Sequence, residues 1–190
     1  MRHRLLSLYS LCAMAVAGGA LLALACGGST PPGPTGEAAA DDRALLAHLG
    51  RLAGERVREA APAATLQQVD VVPGEGRYTF RFVDGAAERV VSATGGTGAQ
   101  AAADFTLGQP QPLGSLAEPP GAPLDLAAVR VGPDGVVRAA VEALGAATPR
   151  TLVLTRREGR LVWRAVVNGP KGIVSGTVPD ETGRFLPETP

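Results

Sequence analysis

The chain has 190 residues, and the first 40 do not read as folded domain, which leaves about 150, enough for one domain or two small ones. Hydrophobic residues make up 45% and charged residues 19%, with 18 basic against 18 acidic side chains, a balance that excludes a disordered polyelectrolyte and a nucleic-acid binder. Aromatics are 4% while 25 glycines and 16 prolines are present, so the apolar content is largely Ala and Val, in small packed layers joined by many turns.

Arg2, His3 and Arg4 precede an uncharged run from Leu5 to Ala25, a basic region followed by a hydrophobic one, and Ala23-Leu24-Ala25-Cys26 closes it. This 1–25 segment reads as an export signal. It resembles a bacterial lipoprotein signal, whose lipobox ends in Ala or Gly before Cys. Ala25-Cys26 matches, while Ala23 and Leu24 depart from the usual Leu and small residue. The resemblance implies that Cys26 becomes the first mature residue and carries a diacylglyceryl group, tethering the chain to the membrane. An uncleaved anchor helix, of about the ~20 residues a bilayer needs, and a plain signal peptide are the alternatives. Lipoprotein sorting usually reads Asp after the lipidated Cys as an inner-membrane signal. Gly27 stands there, which points to the outer membrane or the outer face of the cell membrane. Cys12 and Cys26 both fall in the signal, so the exported part has no disulfide, thiol nucleophile or Cys-ligated metal. Residues 26–40, mostly Gly, Ser, Thr, Pro and Ala, read as a flexible tether.

Residues 41–105 read as a helix and three strands. Asp41-Asp42 opens an amphipathic helix with Leu45, Leu49, Leu52 and Val57 on one face, ended before Pro62. Leu66 to Val72 follows as a strand, Pro73-Gly74-Glu75-Gly76 as a turn, and Arg77 to Val83 as a strictly alternating strand whose aromatic face, Tyr78, Phe80 and Phe82, must be buried. Arg89 to Thr94 makes the third strand, and Gly95-Gly96-Thr97-Gly98, which lacks the Lys-Ser/Thr of a phosphate loop, reads as a flexible bend. Residues 106–123 contain five prolines and little periodicity, and read as an extended strap.

Residues 124–190 return to the same order. Val137, Ala140, Val141 and Leu144 mark a second helix. Strands follow over Thr151 to Arg156, Arg160 to Asn168 and Gly172 to Val178, with turns at Glu158-Gly159 and Gly169-Pro170. At an offset of 83 and without a gap, Arg77–Val83 meets Arg160–Val166 and Val90–Thr94 meets Ile173–Thr177. Six of the eighteen columns from Arg77 to Thr94 are identical, and Phe80 falls on Trp163. This reads as an internal repeat of a helix plus a three-stranded antiparallel meander.

In the second half, Trp163 in a middle strand, Ile173 and Val174 in the next, and the close Val178, Asp180, Thr182, Gly183 resemble the PepSY domain over residues 124–186. Pro179 and Glu181 depart from the family's usual residues there. The resemblance implies an α+β fold and a role in binding or restraining another protein, without catalysis or a cofactor.

Candidate chemistry is sparse. His48 is the one histidine after the signal, on an amphipathic helix, and none of Ser29, Ser92, Ser115 and Ser175 lies in Gly-x-Ser-x-Gly, so these read as structural. Arg77, Arg81, Arg160 and Arg164 would project together from the sheet face opposite Phe80 and Trp163, as a solvated face or as a surface for acidic groups. The leading expectation is a membrane-tethered, non-catalytic module that binds another envelope or secreted protein. The alternatives are a structural lipoprotein of an outer-membrane assembly complex, and an envelope hydrolase with a carboxylate pair in a concave pocket.

Overall fold

Strands with one apolar and one polar face need a cover on the apolar side. In the computed structural model, which describes residues 36–188, two helices supply it for an α+β fold. Helix α1 spans Gly36–Arg58 and α2 Pro133–Leu144. The strands are β1 (Thr65–Val72), β2 (Arg77–Asp84), β3 (Arg89–Gly96), β4 (Thr106–Leu107), β5 (Gln111–Pro112), β6 (Thr148–Arg157), β7 (Arg160–Gly169), β8 (Gly172–Pro179) and β9 (Leu186–Pro187). All nine join one antiparallel sheet in the order β4-β3-β2-β1-β6-β7-β8-β9, with β5 also on β3.

A helix followed by three strands thus occurs twice in chain order, and β1 pairs with β6 to fuse both meanders into one sheet. A single row of side chains crosses that seam: Ala93 opposite Phe80, Phe80 opposite Val69, Val69 opposite Leu154, Leu154 opposite Trp163, Trp163 opposite Val178. All six are 0% exposed. Fully burying each of the larger ones removes enough apolar surface from water to contribute about 1.5–3 kcal/mol.

The row also corrects the gap-free alignment of the two halves. Offset 83 places Ala93 on Gly176, yet the residue opposite Trp163 is Val178. The β2–β3 hairpin closes at Asp84 and Arg89, whereas β7–β8 runs on to Gly169 and Gly172 around a shorter turn. The shift is two residues, so inward and outward faces keep their parity.

Two other expectations change. Helix α1 begins at Gly36, so residues 36–40 are helical and not tether, as Glu37 and Ala38 to Ala40, all strong helix formers, allow. The signal, Cys26 and the rest of the tether lie outside the described residues. Gly95 and Gly96 belong to β3 and not to a bend. Phe105 folds back over Gly95, where an added Cβ would sit 2.7 Å from its ring. At the far edge Phe185 does the same over Gly176. Both rings are buried and close the two ends of the core. No helix among the described residues is long and apolar enough to cross a membrane.

Gly176→Ala would bring a Cβ within 2.4 Å of the Phe185 ring and 2.8 Å of the Leu186 carbonyl oxygen, whereas Gly98 has nothing within 4 Å. Gly176→Ala should lower unfolding free energy by about 1–3 kcal/mol. Urea titration checks it, with Gly98→Ala as a neutral control.

Candidate functional site

The four arginines lie on the sheet face away from the helices but do not converge. Because β1 and β6 are antiparallel, β2 and β7 are too, so Arg77 and Arg160, each at the start of its strand, sit at opposite ends of the sheet. Arg77 is exposed and pairs with Glu75. Arg160 is exposed beside the Glu158-Gly159 turn, opposite Arg157. Arg81 and Arg164 stand three strand spacings apart, about 14 Å. Arg81 is committed inside the protein: its Nε donates to Asp70 Oδ2 at 2.5 Å and its Nη1 to Gln111 Oε1 at 3.1 Å. Arg164 is exposed, between Val153 and Thr177 on the neighbouring strands.

The Pro-rich strap explains the difference. From β5 on the β3 edge it crosses the polar face of the first meander. Ala117 donates its N–H to Gln68 Oε1 at 2.7 Å, and Gln67 exchanges two bonds with the backbone of Gly121, at 3.0 and 3.1 Å. A bulge between Leu66 and Gln68 breaks the β1 register there. Both glutamines are buried; their amide oxygens accept N–H groups of the strap, while Gln68 Nε2 donates to Asp70 Oδ1 at 2.5 Å within β1. The glutamine pair in the middle of a strand is the sequence signal that could have located this crossing. The polar face of β7 and β8 is flanked by the strap only at Ala117 and by Glu188, with Arg164, Ser175 and Ile173 exposed and Val162 and Val166 half-buried.

The side chains that carry the PepSY resemblance have structural roles. Trp163 Nε1 donates to the Val131 carbonyl at 2.8 Å, and the buried Asp180 carboxylate accepts from the N–H groups of Arg130 and Val131 at 2.8–3.0 Å. Asp180 therefore holds the chain entering α2, fifty residues away, and not its own turn. Gly183, at φ 63°, takes the left-handed position of that turn.

The start of α2 has a third anchor. Its N-cap, Gly132, has no side chain to offer, and Asp42 of α1 supplies the oxygen: Oδ2 accepts the Asp134 N–H at 2.9 Å. Asp42 is 8% exposed. Burial pushes its carboxyl up from 3.8 to about 6; the Asp134 hydrogen bond opposes this, the Asp134 charge adds to it, and Arg138 and Arg43 oppose it. Asp42, Asp134 and Tyr78 line a cleft of about 500 Å³ walled by Leu45, Val71, Pro73 and Pro133. Burial pushes the Tyr78 phenol up to about 12, with the charges of Asp42 and Asp134 adding to it. Sequence reading missed this pair of carboxylates because 92 residues separate its members.

His48 is half-buried on α1, while Ser92 and Ser175 lie on the opposite face of the sheet, so the sheet separates them from the histidine. Among the described residues no group of three or more His, Cys, Asp or Glu could hold a metal ion.

No family model and no curated protein matches the chain. Its fold is similar to the crystal structure of a putative lipoprotein from Clostridium difficile 630, at 12% identity and a TM-score of 0.49, over 70% of this chain and 86% of that one. The PepSY resemblance therefore rests on the residues quoted for it.

A carboxyl raised by folding binds protons more tightly in the native state. Its contribution to stability is whole below about pH 3.8 and is lost as pH rises through about 6. At pH 7.5 the buried carboxylate costs about 3 kcal/mol relative to pH 4, since each pH unit between those two values is worth about 1.4 kcal/mol. Asp42→Asn keeps an oxygen for the Asp134 N–H and cannot ionise. The variant should match the parent in urea unfolding at pH 4 and exceed it by up to that amount at pH 7.5. Parallel stability curves across this range would show that folding does not raise the carboxyl.

Proposed function

We propose that the chain is an exported, lipid-anchored protein of the cell envelope, tethered through Cys26, that acts as a non-catalytic binding or inhibitory module built of two PepSY-like units. The partner is an envelope or secreted protein that presents an acidic surface, and no nucleic acid is involved. The observation behind the reading is the unequal cover of the polar sheet face. The strap occupies it over β1 to β3, where Arg81 is held by Asp70 and Gln111. Over β7 and β8 the strap only borders a small hollow, where Ala117 and Glu188 flank Arg164, Val166 and Ser175, and Ile173 is 62% exposed. Half-buried valines flanking the exposed Arg164 offer what a partner needs, an apolar patch with a guanidinium that can fork onto a carboxylate. The repeated order of one helix and three strands supports reading each half as one unit, and Ala25-Cys26 supports the lipid anchor.

A carboxylate-dependent hydrolase is the second reading, favoured by the two carboxylates, Asp42 and Asp134, in one cleft. Against it stands the commitment of Asp42 Oδ2 to the start of α2. Turnover of an envelope polymer that disappears in Asp134→Asn would establish it.

A photocrosslinking amino acid at Val166 in living cells should give a discrete adduct with one envelope protein. The same probe at Glu55, on the outer face of α1, should not. Arg164→Glu should reduce the Val166 adduct at least about fivefold, the scale of one interfacial charge pair. Equal adducts at both positions, or no effect of Arg164→Glu, would remove β7–β8 as the contact face. Separately, Cys26→Ser should move the protein from the membrane to the soluble fraction of exported proteins.

A further inference from the structure

We propose that the β7–β8 face takes an extended peptide segment of the partner, laid across the strands as the strap is laid across the first meander, with a carboxylate of that segment on Arg164. The inference rests on the reading of this face as the contact surface and names what the partner presents to it. The first half of the chain carries the pattern within itself. One row on its polar face runs Gln68, Arg81, Ser92 from β1 to β3. Across that row the strap brings Gln111 Oε1 to Arg81 Nη1 at 3.1 Å and the Ala117 N–H to Gln68 Oε1 at 2.7 Å. A chain crossing from β3 to β1 forms no ladder with the strands beneath it. An extended, proline-rich backbone suits such a path because it leaves few N–H groups to satisfy, and the strap holds five prolines.

The second half repeats the row with one exchange. Aligned on the buried pairs, Phe80 opposite Val69 and Trp163 opposite Leu154, the matching row is Val153, Arg164, Thr177, and it continues to Leu186 on β9. Two residues beyond Gln68 stands Asp70, whose Oδ2 accepts the Arg81 Nε–H at 2.5 Å. Two residues beyond Val153 stands Thr155. The second guanidinium therefore lacks the carboxylate that its own sheet gives the first. Arg164 is exposed and forms no ion pair among the described residues. Glu188 borders the hollow from the next row, where its N–H is tied to the Ser175 carbonyl at 2.9 Å. The charge that Asp70 supplies in the first half is left for a ligand to supply in the second.

Apolar side chains frame that guanidinium. Val153 is half-buried on one side of it and Leu186 is 52% exposed on the other. Val153 to Leu186 is three strand spacings, about 14 Å, which an extended chain crosses in about five residues. The segment thus carries Asp or Glu between two apolar residues. The strap's own run from Leu107 to Leu113 sets Gln111 between two leucines, and so supplies a probe.

The test uses a synthetic peptide copying residues 107–113 with Gln111→Glu, and the unaltered copy as its uncharged match. In two-dimensional amide NMR of the full chain, the glutamate peptide should shift Arg164, Thr177 and Leu186 saturably and leave Arg81 and Ser92 in place. The unaltered copy should bind about tenfold more weakly, the scale of one interfacial charge pair. Arg164→Glu should lose the glutamate peptide and take up a copy carrying Gln111→Lys, with thermal stability unchanged because the side chain is exposed. Equal binding of the glutamate and unaltered peptides, shifts centred on the first meander, or no effect of Arg164→Glu would overturn the proposal. The same shifts on concentrating the chain alone would also overturn it and assign the face to a second copy. If no peptide binds while the Val166 adduct forms and still depends on Arg164, the partner offers a folded surface; the extended segment is then wrong and the contact face stands. Loss of peptide binding and adduct together removes the face itself.

Discussion

The β1–β6 ladder is the constraint on which the rest of this protein depends. Only three residue pairs define it, Val69 with Leu154, Asp70 with Val153 and Val71 with Leu152. Through them two three-stranded meanders become one sheet with a single apolar surface. The row from Ala93 to Val178 has no exposed member because α1 packs over β2 and β3, α2 packs over β6 and β7, and the two helices touch. A polar residue at Val69 or Leu154 would therefore be felt by both halves.

Placing α2 on that sheet requires its first turn to be satisfied away from water, and the chain does this with side chains from three distant segments. Trp163 takes the Val131 carbonyl, Asp180 takes two N–H groups before the helix, and Asp42 takes the Asp134 N–H. A helix start beginning Gly-Pro has no cap of its own, so tertiary contacts replace one. The same arrangement buries Asp42, raises its carboxyl and leaves an acidic cleft beside Tyr78.

The polar face of the sheet is divided by the strap. Over the first meander its proline-rich chain uses Gln67 and Gln68 as fixed points and leaves Arg81 in an internal ion pair. Over the second, arginine and valine side chains meet solvent. Two strands with the same pattern, Arg77–Val83 and Arg160–Val166, consequently play different parts, because neighbours far along the chain cover one and not the other.

Local features were legible in the sequence. Period-two alternation marked β2 and β7, the 3.6-residue spacing of Val137, Ala140 and Leu144 marked α2, and the turn residues at Glu158-Gly159 and Gly169-Pro170 set the hairpins, because these preferences act between residues a few positions apart. Folding in three dimensions was needed for the joining of β1 to β6, the two-residue shift between the halves, the cover of Gly95 and Gly176 by Phe105 and Phe185, and the meeting of Asp42 with Asp134. Each of these depends on which surfaces can be buried against one another once the chain has closed on itself between residues far apart in order, and no short-range pattern records that.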